Sequence, residues 1–441
     1  MKKNLLRQLI CFGIGCLIAI NSNAQSSLLQ VSGKYLLDDC GDTVILKGVN
    51  DMNFFDTNWG LAHFREIAKT GANTVRIQIE SGNTIAQIQS LLDSCLTNKM
   101  IPILEMQQFT GEGNGDQVTY GGQPDTVVLS QAAAFWTNTG MKNLLLTYQN
   151  YLIINLANEP NGAWNVTPSD QISYFNANKT AIEALRTAGY TCPIMIDGMN
   201  WAHDVSFFTN YGLQLLNNDP LHNLLFSVHS YWPQSDYSDA AVTSLIDQMG
   251  TSGLPMLFGE FAWSTSSDNI TYYPNNYDLI LQKAHQYNIG WLVWVWGDEN
   301  DYQYNNNSMV MSTDGSYAGL DIPHHGKEFA VTHQYSIQNT ARRPYKLIHG
   351  VCETTGIKDL QNDNDLKIYP NPAGEILTLE STQQVSSMEI QDLSGKIVWK
   401  QDLGENHHTI IYTGNWANGI YVIKVTDLNG NMHTSKIIKG Q

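Results

Sequence analysis

Leu152-Ile153-Ile154-Asn155-Leu156-Ala157-Asn158-Glu159-Pro160 is a near-continuous apolar run that closes on an amide, a carboxylate and a proline. A run without strict alternation suits a parallel strand covered on both faces. A carboxylate at its end is costly to bury unless it has partners or a function. Runs of the same texture lie on either side. Thr43–Asn50, Thr74–Ile79 and Ile101–Met106 precede it; Ile194–Met199, Leu224–Tyr231, Leu254–Phe261 and Gly290–Asp298 follow.

Helical patterns lie between these runs. Trp59–Thr70 carries Leu61, Phe64 and Ile67 and stops at Gly71. Ile85, Ile88, Leu91, Leu92 and Cys95 form an apolar stripe, and Ser173–Ala188 and Tyr277–Tyr287 read as further helices. Eight strand–helix units in a body of about 340 residues predict an α/β fold, a (β/α)8 barrel with some enlarged loops. The alternative is a doubly wound sheet. It wants a Gly-rich phosphate turn after the first strand, and Gly48-Val49-Asn50-Asp51 is not one.

In such a barrel the active site sits at the C-terminal ends of the strands. The strand ends supply Arg76, Gln107, Gln108, Asn158, Glu159, Asp197, His229, Tyr231, Glu260, Trp294 and Trp296. Glu159 closes the fourth run; Glu260, in Leu257-Phe258-Gly259-Glu260-Phe261, closes the seventh. Those two positions face each other across the barrel mouth. Cleavage of a glycosidic bond needs a carboxylic acid to protonate the leaving oxygen and a second carboxylate near the anomeric carbon.

Composition sets the outer bounds. Of 441 residues, 42% are apolar and 15% charged, so the chain has ample surface to bury a large core. The formal net charge of −17 argues against nucleic acid and anionic membrane surfaces as partners. The 11 Trp and 21 Tyr suit carbohydrate or aromatic ligands, being flat apolar faces with polar edges. Met1 to Ala24 has a basic start (Lys2, Lys3, Arg7), an apolar stretch Leu9 to Ile20 and small residues at its end, the layout of a signal peptide. No later segment is apolar and long enough to span a bilayer, so the mature protein is expected to be soluble and exported. Cys40, Cys95, Cys192 and Cys352 then remain, and four cysteines allow three pairings. None has metal-site spacing.

Six segments, in order and covering roughly Leu28 to Val351, resemble glycoside hydrolase family 5, in the retaining (β/α)8 clan. They are Leu46–Asn50, Gly71–Ile77, Asn158-Glu159-Pro160, Phe226–Tyr231, Phe258-Gly259-Glu260-Phe261 and Gly290–Trp296. The resemblance implies Glu159 as acid/base and Glu260 as nucleophile. It implies that Asn158 holds the sugar 2-hydroxyl and that Arg76 keeps Glu260 ionised. Tyr231 would fix the rotamer of Glu260, and His229 would line the cleft beside Glu159. Because Glu159 must be protonated at the first step, its pKa should be raised.

Trp294 and Trp296 read as alternate positions on one strand, facing the same way. One of them is expected as a sugar-stacking floor and the deeper one as core packing; the resemblance implies Trp294 for the floor. Trp164 and Trp201, in the loops after the fourth and fifth strands, read either as further subsites or as loop anchors. Asn98–Pro102 through Gly111, the Asp197…Trp201 spacing and Gly290–Trp296 resemble the β-mannanase branch. That branch and many cellulases carry His-Asp where this chain has Gln107-Gln108; a neutral amide at Gln107 can still bind hydroxyls. The expectation is a retaining endo-β-1,4-glycanase acting on β-mannan, with no metal and no cofactor. A cellulase of the same family and a non-catalytic polysaccharide-binding barrel are the alternatives. Asp298–Ser308 lacks EF-hand spacing and reads as a solvated loop.

Near Gly356 the texture changes. The expected division is a signal peptide over 1–24, the barrel over 25–355, a polar linker over 356–365 and a small all-β sandwich over 366–441. Tyr369-Pro370-Asn371-Pro372, Leu393–Lys396, Gly419-Ile420-Tyr421 and Lys436–Lys439 resemble the C-terminal sorting domain of bacterial type IX secretion. The implied partner is outer-membrane export machinery, and the implied location is outside the cell or on its surface. A carbohydrate-binding module is the competing reading, with Trp399 and Trp416 serving a sugar face.

Overall fold

The computed structural model describes residues 27–53, 57–110, 125–162, 166–265, 272–297, 309–323, 325–352, 366–392, 395–427 and 432–440. The signal segment, the linker, Trp164 and Asp298–Ser308 lie outside the described residues. The chain divides into two compact units, Met1–Cys352 and Glu353–Gln441.

The first unit opens with a hairpin, β1 (Leu29–Ser32) and β2 (Tyr35–Asp38). Seven barrel strands follow in chain order: β3 (Lys47–Asp51), β4 (Thr74–Ile79), β5 (Ile101–Met106), β6 (Ile153–Asn155), β7 (Ile194–Asp197), β8 (Leu224–His229) and β9 (Met256–Phe261). After a short hairpin, β10 (Ser264–Thr265) with β11 (Tyr273–Pro274), the eighth barrel strand is β12 (Gly290–Val293). β12 pairs with both β9 and β3, which closes a parallel (β/α)8 barrel. Every residue of β4, β5, β8 and β9 is buried, as expected of strands walled by helices outside and side chains inside.

The helices start and stop where local chemistry directs. Thr84 and Gln87 form a capping box before Ile85–Thr97, which buries Ile88, Leu91, Leu92 and Cys95. Thr167 and Asp170 do the same before Pro168–Ala188, which ends on Gly189 at φ 101°. Trp59–Thr70 is not one helix. Asn58, Trp59 and Gly60 have φ of 52°, 60° and 60°, a left-handed stretch that a right-handed helix cannot include. The helix begins only at His63.

Two strand ends differ most from expectation, while Ile194–Met199 and Leu224–Tyr231 each stop two residues early, at Asp197 and His229. The run Leu152–Pro160 leaves the ladder after Asn155, and Glu159 has a φ of 42°. Gly290–Asp298 stops at Val293. Trp294 and Trp296 therefore lie beyond the strand, and strand alternation does not set their directions. Trp296 is buried and donates its Nε1–H to the Gly315 carbonyl at 2.9 Å; Trp294 is half-buried.

Cys40 and Cys352 are joined in a disulfide across 312 residues, and Cys95 and Cys192 are buried thiols. The second unit is all-β, five antiparallel strands: β13 (Leu366–Tyr369), β14 (Ile376–Asp392), β15 (Ile397–Tyr412), β16 (Gly419–Asp427) and β17 (Met432–Lys439). β14 and β15 are long where shorter segments were expected. Register shifts between Glu380 and Val385 and between Val385 and Ser387 absorb the irregularity without ending the pairing. Leu377, Leu379, Met388, Ile390, Ile411 and Ile423 belong to its core, and Trp399 and Trp416 pack against that core.

Candidate active site

The site grows from a buried arginine. Arg76 points from β4 with none of its side chain exposed. A buried guanidinium needs acceptors for all its forks. Its Nε donates to Asn155 Oδ1 at 2.7 Å. Its Nη1 donates to Glu260 Oε1 at 2.6 Å and to Asn50 Oδ1 at 3.1 Å. Its Nη2 donates to Asn158 Oδ1 at 2.8 Å and lies 3.6 Å from Asp197 Oδ2. Surrounding carboxylates outweigh burial and hold the guanidinium protonated. One cation thus gathers the ends of β3, β4, β6, β7 and β9.

Glu260 is held on both oxygens. Arg76 takes Oε1, and the Tyr231 hydroxyl donates to Oε2 at 2.8 Å. Gly259 makes room behind it: a Cβ there would sit 2.1 Å from Ser227 Oγ. Asn50 Nδ2 donates to the Gly259 carbonyl at 3.0 Å and fixes the backbone before Glu260.

Glu159 is held differently. Its backbone N–H donates to Asp197 Oδ2 at 3.0 Å. Its Oε1 lies 2.7 Å from His229 Nδ1, and that nitrogen is 3.6 Å from Glu260 Oε2. Burial raises the Glu159 pKa, with His229 opposing. Burial pulls His229 down, but Glu260, Asp197 and Glu159 together push it up to about 9. One oxygen of Glu159, one of Glu260 and a His229 nitrogen all lie within 4.8 Å of one another. Among the described residues these three also form a set close enough to share a metal ion; Asp39 lies equally close to Cys40 and Cys352, whose sulfurs are joined in a disulfide and offer no thiolate. Arg76 already supplies a fixed cation against Glu260, so the set has little need of a metal.

The structure therefore brings Arg76, Asn158, Glu159, His229, Tyr231 and Glu260 into one cluster. Gln107 joins it through its backbone: its carbonyl accepts from the Thr110 hydroxyl at 2.8 Å, and Thr110 Oγ1 accepts from Asn158 Nδ2 at 3.1 Å. Its side-chain Oε1 is buried with no hydrogen-bond partner among the described residues. Trp201 sits half-buried in the loop after β7, in a left-handed stretch with Asn200 and Ala202. Its N–H donates to the Asn161 carbonyl at 2.7 Å, and the Ala202 carbonyl accepts from the His229 N–H at 2.9 Å. Trp294 donates its N–H to the Phe261 carbonyl at 2.8 Å, just beyond Glu260.

Sequence reasoning gave no part to Asn155 or Glu105, and listed Asp197 without a role. Each is polar within an apolar strand run, which was the available signal. Glu105 is fully buried, with both carboxyl oxygens lacking a partner among the described residues. Burial raises its pKa to about 8, against the pull of Arg76.

Comparison with known proteins gives a family match for each of the two units. Residues 37–300 match the cellulase family, glycosyl hydrolase family 5. Residues 367–440 match a secretion system C-terminal sorting domain. A mannan endo-1,4-beta-mannosidase of Cellvibrio japonicus is 32% identical over 67% of this chain, and the chain spans 64% of that relative's length. Another, from Salipaludibacillus agaradhaerens, is 28% identical over 62% of this chain and 83% of its own. The β-mannanase of Thermomonospora fusca, in its mannotriose complex, is 26% identical, with a TM-score of 0.59 over 72% of this chain and 98% of its own.

Proposed function

The chain belongs to glycosyl hydrolase family 5, and from that premise we propose that it is a retaining endo-β-1,4-glycanase that cleaves β-mannan. The observation that carries this reading is the approach of Glu159 and Glu260, whose nearest oxygens lie within 4.8 Å. Retaining glycosidases hold their carboxyl groups about 5–5.5 Å apart, whereas inverting ones leave about 6.5–9.5 Å for a water.

The two carboxyl groups divide the work by their surroundings. Glu260 accepts from Arg76 and Tyr231, which suits a carboxylate with its rotamer locked, aimed at the anomeric carbon. Glu159, with its raised pKa, gives its proton to the departing oxygen. A glycosyl ester on Glu260 forms as the glycosidic bond breaks. Glu159, now ionised, takes a proton from water, and that water displaces Glu260. Asn158 is oriented by Arg76 on its Oδ1 and by Thr110 on its Nδ2, and its second Nδ2 hydrogen serves the sugar 2-hydroxyl. Trp294, Trp201 and Gln107 border the site and bind further sugar. Support for mannan comes from relatives and structural neighbours that are mannanases.

The match to a sorting domain makes this a secreted or cell-surface protein. No helix among the described residues is long and apolar enough to cross a membrane. We assign the barrel to 25–355 and the sorting domain to 366–441, whose partner is the bacterial outer-membrane secretion machinery. A net charge of −17 argues against nucleic acid as a partner.

The test is a reducing-sugar assay on mannans, β-glucans and xylan, with the product anomer followed by NMR. Release of β-configured oligosaccharides from mannan is expected. Glu260→Ala should lower kcat on every substrate by at least about 10⁴-fold. Wild-type rates in that variant, or binding without product release by the wild type, would overturn the assignment.

A further inference from the structure

Asp197 ends β7 within the same cluster, and the two-carboxylate reaction gives it no part. None of its side chain is exposed. Four donors surround its two oxygens. Asn155 Nδ2 donates to Oδ1 at 3.1 Å, and the Glu159 N–H donates to Oδ2 at 3.0 Å. Arg76 Nη2 and His229 Nε2 stand 3.6 Å and 3.5 Å from Oδ2. An acceptor-only group fits this place; an amide would turn its NH₂ onto a donor.

Two of those donors lead to Glu159. One is its own backbone, which has a φ of 42°, in a region non-glycine residues seldom occupy. The bond from its N–H to Asp197 holds that conformation. The other route runs through His229, whose Nδ1 meets the Glu159 carboxyl at 2.7 Å. His229 Nε2 makes no hydrogen bond among the described residues, but a carboxylate 3.5 Å away favours a proton on that nitrogen through its charge. The proton free to move is then the one between Nδ1 and Glu159.

We propose that Asp197 is the positioning residue for the Glu159 proton, fixing both the backbone that carries Glu159 and the tautomer of the histidine beside it. This rests on the reading of Glu159 as the acid/base. The other charged or titratable groups facing the Glu159–His229 pair are Arg76, Glu105, His203, Tyr231 and Glu260. All remain in an Asp197 variant, so a changed pH profile reports on Asp197.

The test compares the full-length wild type with Asp197→Asn on two substrates. One is a manno-oligosaccharide, whose leaving group needs a proton. The other is a dinitrophenyl β-mannobioside, whose leaving group departs without one. For the oligosaccharide, kcat/KM should fall about 10²-fold or more, with a displaced alkaline limb. For the activated glycoside it should fall less than about tenfold, and azide should speed turnover by replacing the water that Glu159 activates. Equal losses on both substrates with an unmoved limb would overturn the proposal, as would an unchanged oligosaccharide rate. Nitrogen-15 NMR of the wild type gives a second readout that needs no variant. Above pH 9 the neutral His229 should carry its proton on Nε2; a proton on Nδ1 overturns the proposal. A wild type inactive on both glycosides removes the underlying reading, and the proposal with it.

Discussion

At the scale of residues, the site separates two chemically identical side chains by what surrounds them. Glu260 has a guanidinium and a phenol; Glu159 has an imidazole and a backbone held by a carboxylate. His229 is the point where the two meet. Its positive charge lowers the Glu159 pKa, so His229→Asn should let Glu159 keep its proton to higher pH. The expected outcome is a lower kcat with the alkaline limb of kcat/KM displaced upward. A limb moved downward would show that another group sets it. The two glutamates were legible because positions at and just past the strand ends of a barrel are functional by default; Arg76, the third residue of β4, was legible through the resemblance of Gly71–Ile77. The part of Asp197 was not, because it acts through a backbone N–H and a second-neighbour ring that no spacing encodes.

At the scale of elements, the strands were legible and their ends were not. Thr74–Ile79 and Ile101–Met106 coincide with β4 and β5, because continuous burial writes itself as continuous apolar sequence. Where a ladder stops depends on backbone angles at single positions, such as Glu159, and these leave no periodic trace. β5 also carries Glu105 into the barrel, in register with Gln78 and Asn155 on the flanking strands. Its folded pKa of about 8 stands above the ordinary 4.5. The unfolded chain therefore releases this proton first as pH rises. The associated stability is full below pH 4.5 and is lost progressively up to about pH 8. Glu105→Gln removes the titration. The melting temperature of this variant, relative to wild type, should climb between pH 5 and 8; a pH-independent difference would show that Glu105 ionises freely in the fold.

At the scale of the whole molecule, both units were visible as changes of texture along the chain, whereas the cysteine pairing was not. Four cysteines left three pairings open, and the fold selected Cys40 with Cys352 by bringing the two ends of the barrel unit together. In the chain-entropy treatment, closing so long a loop is worth about 6 kcal/mol. Cys40→Ser with Cys352→Ser should lower the melting temperature of the barrel by several degrees, about 1.5 °C for each kcal/mol lost in a unit of this size. Calorimetry with and without reductant checks this; identical curves would mean that the bond holds nothing the barrel does not already hold.

The same bond has a consequence for life outside the cell. A protease that cuts once anywhere between Cys40 and Cys352 cannot release a fragment, because both pieces stay tethered by sulfur. Such damage is invisible on a gel until thiol is added. A cut beyond Cys352 severs only what trails the ring, so the barrel unit can shed its tail and remain whole.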